Sequence, residues 1–200
     1  MVQNQDKEIR PFGLWPSPVT PAVLSTSLRF SDVQWDSDGQ TLVWLEGRSD
    51  RGVLVSREAP GAMRDLTDEH YVRGSVGYGG GDFSVSGGVV VFAERSGRLF
   101  RRTLGYDRPL PITPAFGSPA SPAISADGRR VVYVHSYERK EVLALAALDG
   151  STWPGVLAQG ADFYMQPVWH PDSKYLAWVE WNHPNMPWDG TLLKLGRIEG

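Results

Sequence analysis

The sequence contains no cysteine, which excludes disulfide bridges and thiolate metal sites. No apolar run approaches the roughly 18 residues of a membrane-spanning helix, and the polar first ten residues show no signal peptide. There is no cluster of lysine and arginine, and the net charge is -3. These absences predict a cytoplasmic protein that has neither nucleic acid nor a membrane as a partner.

Glycine and proline are abundant instead, with 22 and 15 residues, and they favour many short elements joined by tight turns. Hydrophobic residues make up 41% of the chain, and eight of its residues are tryptophan. A chain of 200 residues with this composition is long enough to bury a substantial core.

The stretch from Met165 to Ile198 predicts a strand, a polar turn, a second strand, a Pro-rich loop and a third strand. Three earlier parts of the chain resemble imperfect copies of it, and each of these adds a short closing strand. The copies begin near Phe30, Gly80 and Pro122. A repeat of about 40 to 45 residues that holds four short strands is typical of a propeller blade.

We therefore predict an all-β fold, a β-propeller segment of about four four-stranded blades. A tail and Pro-rich arm would occupy residues 1-21, and the blades would cover about 22-70, 71-115, 116-160 and 161-200. The fourth blade lacks an outer strand. Either the N-terminal segment supplies that strand, or the chain is the front part of a longer protein with an incomplete ring. The second interpretation is favoured.

Several local features add expectations. The Asp-Gly pairs between β-favouring runs predict hairpins, for which type I′ turns are the favoured geometry. The arm from Pro11 to Pro21 carries four prolines and is expected to be extended, with Leu14 and Trp15 pinning it to a neighbouring surface. The residues just before the first hairpin of each blade are expected to pack between blades: Trp35, Phe83, Ile124 and Trp169.

Four motifs, WPSPVTPA from Trp15, YGGG from Tyr78, GADFY from Gly160 and WNHPNMPWDGT from Trp181, resemble the N-terminal propeller of prolyl oligopeptidase-family serine peptidases. The similar branch is that of the dipeptidyl aminopeptidases and acylaminoacyl peptidases. The resemblance implies a propeller that caps a C-terminal α/β-hydrolase domain and filters peptide substrates. Family members often have His-Glu before the YGGG motif, and Val76-Gly77 stand there in this chain, so no substrate role is transferred to them.

Ten residues are candidates for contact with substrate or with the hydrolase domain. They are Tyr78, Gly79, Gly80, Gly81, Asp162, Tyr164, His183, Asn185, Trp188 and Asp189. The structural alternative for the glycines is an entry into a blade strand. For the loop that contains His183, the alternative is a connection rigidified by proline, with Trp188 packed down.

No catalytic residue is assigned, because no Gly-x-Ser-x-Gly nucleophile motif occurs and none of the four histidines lies in a recognisable triad context. His170 and Asp172 suggest a metal site at first sight, but the other copies place a turn there. We expect neither a metal nor a cofactor.

The predicted function is that of a non-catalytic propeller portion of a serine peptidase, which gates and orients peptide substrates for a hydrolase domain absent from these residues. The alternative is a stand-alone propeller that binds a protein or a small ligand. An unclosed segment would expose apolar blade faces, so self-association through them is expected.

Overall fold

The computed structural model describes residues 9–25, 28–67, 69–74, 76–78, 80–105 and 108–198. Its strands form four antiparallel sheets in chain order, each with neighbouring strands paired in sequence order. Each sheet is one blade, so the predicted all-β fold of about four blades is confirmed.

The strand bounds follow the repeats. Blade 1 consists of β1 Arg29–Trp35, β2 Thr41–Gly47, β3 Gly52–Glu58 and β4 Met63–Asp65. Blade 2 consists of β5 Phe83–Ser86, β6 Val89–Glu94, β7 Arg98–Thr103 and β8 Leu110–Pro111. Blade 3 consists of β9 Ser118–Ile124, β10 Arg130–Tyr137, β11 Lys140–Ala147 and β12 Gly155–Ala158. Blade 4 consists of β13 Phe163–Trp169, β14 Tyr175–Trp181 and β15 Leu192–Arg197.

Blade 4 has three strands, as the sequence predicts. In the part of the chain that the structure describes, no N-terminal strand pairs with it, so that alternative is not observed. The N-terminal segment instead forms a short helix, α1 Pro21–Ser25, which the sequence analysis did not predict. Its start has a local cause: the Thr20 hydroxyl accepts a hydrogen bond from the Val23 amide at 3.2 Å, and Pro21 occupies the first helical turn.

The expected pinning of the arm is not observed. Leu14 and Trp15 are exposed, and the ring of Trp15 contacts that of Phe12 within the arm itself, at 5.7 Å.

The Asp-Gly hairpins form, but the predicted type I′ geometry is wrong for them. At Asp38–Gly39 and Asp127–Gly128 only the glycine has a positive φ, of 68° and 67°. The loops are closed by the Asp36 amide, which donates to the Thr41 carbonyl at 2.8 Å, and by the Ser125 amide, which donates to the Arg130 carbonyl at 2.9 Å, so each is longer than a two-residue hairpin loop. Gly87 and Gly88 both have positive φ, as a two-residue type I′ loop requires.

Each blade packs on the next through one hydrophobic cluster. The three clusters join blades 1 and 2, blades 2 and 3, and blades 3 and 4. Within the described ranges no cluster joins blade 4 to blade 1, so the ring is open. We call the side of a blade that faces the preceding blade its leading face, and the opposite side its trailing face.

Of the four residues that were expected to pack between blades, three do so. Phe83 and Ile124 are buried on the leading faces of blades 2 and 3. Trp169 is half-buried, and its indole nitrogen donates to the Ala123 carbonyl of blade 3 at 2.9 Å. Trp35 departs from the expectation, because it is 59% exposed. It lies on the leading face of blade 1, which no other blade of the described residues covers.

Candidate functional site

An aromatic cluster forms where the loop after blade 1 meets blade 4. The ring of Tyr78 contacts Phe163 at 4.9 Å between centroids and Trp181 at 5.7 Å, in both cases edge to face. Phe163 stacks on Trp181 at 5.1 Å and meets His183 at 4.8 Å. We call these four residues the rim cluster, because they lie at or beyond the strand ends of blade 4. Three segments distant in sequence thus build one aromatic cluster.

The strand positions explain which rings are covered. Phe163 opens β13 and pairs with Trp181 at the end of β14, so both lie at the same end of the sheet. Trp181 is buried, whereas Tyr78 and His183 remain exposed. The Tyr78 hydroxyl donates to the sulfur of Met186 at 3.3 Å, which ties the loop after β14 to the cluster.

A buried carboxylate, that of Glu141, lies beside this cluster. The residue is 6% exposed, and its Oε1 accepts from the Gly77 amide at 2.8 Å while Oε2 accepts from the Tyr164 amide at 3.2 Å. Burial raises the pKa of Glu141, and the two amide hydrogen bonds oppose that rise. The carboxylate therefore holds together blade 3, blade 4 and the loop that carries Tyr78.

The position of Gly77 has no room for a side chain. A Cβ atom at Gly77 would lie 3.0 Å from Glu141 Oε1 and 3.2 Å from a ring carbon of Phe163. A larger residue there would displace either the carboxylate or the ring. The adjacent Val76 packs against the hydrophobic cluster between blades 3 and 4.

Asp162 and His183 form an exposed pair at the edge of the cluster. Asp162 Oδ2 accepts from the His183 amide at 2.9 Å and lies 3.2 Å from His183 Nδ1. The amide hydrogen bond from His183 is the main cause that lowers the pKa of Asp162. The Asp162 amide in turn donates to Asn182 Oδ1 at 2.8 Å, so these contacts fix the two loops to each other.

The backbone of Gly80 and Gly81 lies against Ser121 in β9 of blade 3. The Gly81 carbonyl accepts from the Ser121 amide at 2.7 Å, and the Gly80 carbonyl accepts from the Ser121 hydroxyl. Gly81 has a φ of 97°, and a Cβ there would lie 3.1 Å from the Ser121 Cα. This close approach requires glycine and anchors the loop to β9 of blade 3. The candidate Gly79 lies outside the described residues.

The remaining candidates lie in and around the loop between β14 and β15. The Asp189 carboxylate accepts from the Met186 amide at 3.1 Å, and the Asn185 amide donates to the Asn182 carbonyl at 3.1 Å. Trp188 is exposed and is not packed down. Tyr164 is buried, and its hydroxyl accepts from the Ala161 amide at 3.0 Å, so its contacts in the chain are structural ones.

Three residues of the site were not singled out from the sequence: Glu141, Phe163 and Trp181. Phe163 and Trp181 lie within motifs that carry the resemblance, which was the available signal. Glu141 gave no signal, since a glutamate at the start of a strand is ordinarily solvent-exposed.

Two further observations concern metal binding and membrane-spanning helices. His170 Nδ1 lies 2.8 Å from Asp172 Oδ1 in the β13–β14 turn, and no cluster of three or more potential metal-ligating side chains occurs among the described residues. None of the helices in the described ranges has the length and apolar character needed to cross a membrane.

Comparison with known proteins points to peptidases. A puromycin-hydrolyzing peptidase of Mycobacterium tuberculosis matches 96% of this chain at 29% identity and a TM-score of 0.78, over 34% of its own length. A puromycin hydrolase matches 95% at 29% identity and a TM-score of 0.79, over 33% of its length. A prolyl endopeptidase structure matches 86% at 15% identity and a TM-score of 0.59, over 28% of its length, which shows a shared fold.

The chain thus spans about a third of the length of these solved structures. No protein-family model matches the chain, and no curated protein does. The predicted resemblance to the propeller of prolyl oligopeptidase-family peptidases is confirmed by these structures.

Proposed function

We propose that this chain is the propeller portion of a serine peptidase, and that its rim cluster orients peptide substrates for an α/β-hydrolase domain. The observation that carries the proposal is the convergence of Tyr78, Phe163 and His183 on one surface, over the buried Trp181 and next to the buried Glu141. The similarity to puromycin-hydrolyzing peptidases over nearly the whole chain supports it.

The chemistry of the cluster fits that role. Exposed edges and faces of aromatic rings bind the apolar side chains and rings of a ligand at little conformational cost. Tyr78 and His183 add polar groups at the margin, and Asp162 adds a negative charge that attracts a protonated amino group. The cluster would bind and position a substrate, while bond cleavage would belong to the hydrolase domain.

Titration of intrinsic tryptophan fluorescence tests the proposal, since Trp181 lies in the cluster. Puromycin and short peptides with free amino termini are the probes. We expect saturable binding to the wild-type chain and at least about tenfold weaker binding to Tyr78→Ala, in line with the loss of an aromatic contact. Tyr137→Ala is the matched control, because Tyr137 is exposed to a similar degree on blade 3.

Equal affinity of the wild type and Tyr78→Ala would contradict the proposed surface, as would an absence of binding. The same preparation is incubated with a fluorophosphonate serine probe and with aminoacyl chromogenic substrates. Labelling or hydrolysis would contradict a division of labour in which this portion binds and another domain cleaves.

A further inference from the structure

A cavity of about 200 Å³ lies between the outer parts of blades 2 and 3. Its opening has a local cause, since β8 of blade 2 has two residues, whereas β12 of blade 3 has four. Val156 in β12 is 59% exposed, although its partner Ala144 in β11, on the same leading face, is buried. Blade 2 also packs on blade 1 and blade 3 on blade 4, so the cavity belongs to the middle of the described fold.

The walls of the cavity are aromatic and aliphatic. Phe116 stacks on His135 at 5.6 Å between ring centroids, and Tyr133 meets the same imidazole edge to face at 6.0 Å. Gly117 lies directly against that imidazole, since a Cβ there would be 2.6 Å from His135 Cε1. Aliphatic side chains and an exposed indole contribute further to the lining: Pro114, Val142, Ala144, Trp153, Pro154 and Val156.

Tyr133 supplies a hydrogen-bond donor within these walls. The residue lines the cavity and is 3% exposed. Burial alone raises the pKa of its phenol to about 12, and the hydroxyl has no hydrogen-bond partner in the part of the chain that the structure describes. Because a buried tyrosine hydroxyl ordinarily binds an acceptor, a molecule in the cavity that carries one would satisfy it.

The cavity disfavours ions. The described residues that line it include no aspartate, glutamate, lysine or arginine. Burial lowers the pKa of His135, so its imidazole is neutral at pH 7. An ionised ligand would therefore lose its hydration without gaining a charged partner.

We propose that this cavity binds a small uncharged molecule that has one aromatic ring and a hydrogen-bond acceptor, for example an aryl ketone. The ring packs among Phe116, Val142 and Val156, and the Tyr133 hydroxyl donates to the acceptor. A cavity of about 150 Å³ is enough to hold benzene, so this one has room for a ring with a short substituent. The site shares no residue with the rim cluster, and it does not rest on the proposed substrate role.

Titration of the amide chemical shifts of the chain with acetophenone, a neutral aryl ketone, tests the proposal. We expect saturable shifts for the amides of Phe116, Tyr133, His135 and Trp153, which surround the cavity. Benzoate has the same ring but carries a negative charge, and it is expected to bind at least about tenfold more weakly.

Two variants locate the binding. Tyr133→Phe removes the donor and keeps the ring, so acetophenone is expected to bind about 2 to 12 times more weakly. Val156→Trp fills the mouth of the cavity from an exposed position, so binding is expected to be lost with an unchanged far-UV circular dichroism spectrum. Tyr175→Phe is the matched control, because it removes the hydroxyl of an exposed tyrosine in blade 4, and unchanged affinity is expected.

An absence of saturable shifts with acetophenone overturns the proposal. So does equal affinity for benzoate, unchanged affinity in Tyr133→Phe, or shifts that are confined to the rim cluster. These outcomes leave the puromycin titration of the rim cluster unaffected, because none of the residues changed here belongs to that cluster.

Discussion

The Asp36 carboxylate accepts a hydrogen bond from the Gly88 amide, Oδ2 to nitrogen at 2.9 Å, across the boundary between blades 1 and 2. Asp36 is 3% exposed, and its Oδ1 accepts from the Ser37 amide at 2.7 Å. Blades 3 and 4 use an equivalent contact, in which the Asp127 amide donates to the Ser173 hydroxyl at 2.9 Å. Polar contacts between turns thus supplement the hydrophobic clusters between blades.

Replacement of Asp36 by alanine is expected to lower the free energy of unfolding by about 1 to 3 kcal/mol, because it leaves two backbone amides without their charged acceptor. Asp50→Ala is the control, since Asp50 is exposed and lies 3.6 Å from Arg51 in a surface pair, for which a change below about 1 kcal/mol is expected. Urea unfolding measures both. A loss for Asp36→Ala no larger than that of the control would show that the turn contact does not stabilise the blade boundary.

One leucine position recurs in the third strand of every blade, as the pairing with the second strand shows: Leu54, Leu99, Leu143 and Leu193. The first three are 0% exposed, whereas Leu193 is 78% exposed. Leu54→Ala, Leu99→Ala and Leu143→Ala are each expected to cost about 2 to 5 kcal/mol, because each leaves a cavity between blades. Leu193→Ala is expected to cost less than about 1 kcal/mol, because the Leu193 side chain is exposed. Four similar values would mean that the Leu193 side chain is buried in the folded chain.

Two adjacent glycines differ in what they tolerate. Gly81→Ala is expected to destabilise the chain by about 1 to 3 kcal/mol, because alanine would have to adopt a positive φ close to the Ser121 backbone. Gly80→Ala is the matched control, since a Cβ at that position meets nothing within 4 Å. Thermal and urea unfolding should separate the two variants. Equal effects would show that the loop is not anchored to β9 as described.

The ionisation of Glu141 predicts a pH dependence. Burial raises the pKa of this carboxyl group in the folded chain, so folding favours its protonated form. The stability that it contributes is fully present below the ordinary glutamate pKa of about 4.3 and is lost as the pH rises through the raised value. Glutamine does not titrate, so the difference in unfolding free energy should move in favour of Glu141→Gln between about pH 4 and pH 7. A difference that moves in favour of the wild type over that range would contradict the raised pKa.

The blades could be predicted because their signals are local. Alternating apolar residues, and a glycine at the turn of each of the first three copies, mark the hairpins, and the fourth copy shows the three strand-forming runs that blade 4 has among the described residues. The predicted turn type was wrong at Gly39 because the dipeptide alone does not indicate the loop length, which is set by the hydrogen bond from the Asp36 amide to the Thr41 carbonyl.

The rim cluster was only partly predictable because its members are far apart in the chain. The motifs drew attention to Tyr78 and His183, but nothing local shows that Tyr78 meets Phe163 or that Glu141 binds the Gly77 amide. Burial also depends on neighbours: Trp35 and Trp169 occupy similar positions before a turn, but among the described residues only Trp169 packs on another blade.

Amide hydrogen–deuterium exchange with and without saturating puromycin locates the surface that a ligand covers and so tests whether the rim cluster binds substrate. We expect slower exchange in residues 76–82, 160–164 and 181–189, the segments that build the rim cluster and its supports, and no change in the outer strands β4, β8 and β12. Unchanged exchange in those three segments, or protection confined to another part of the fold, would contradict it.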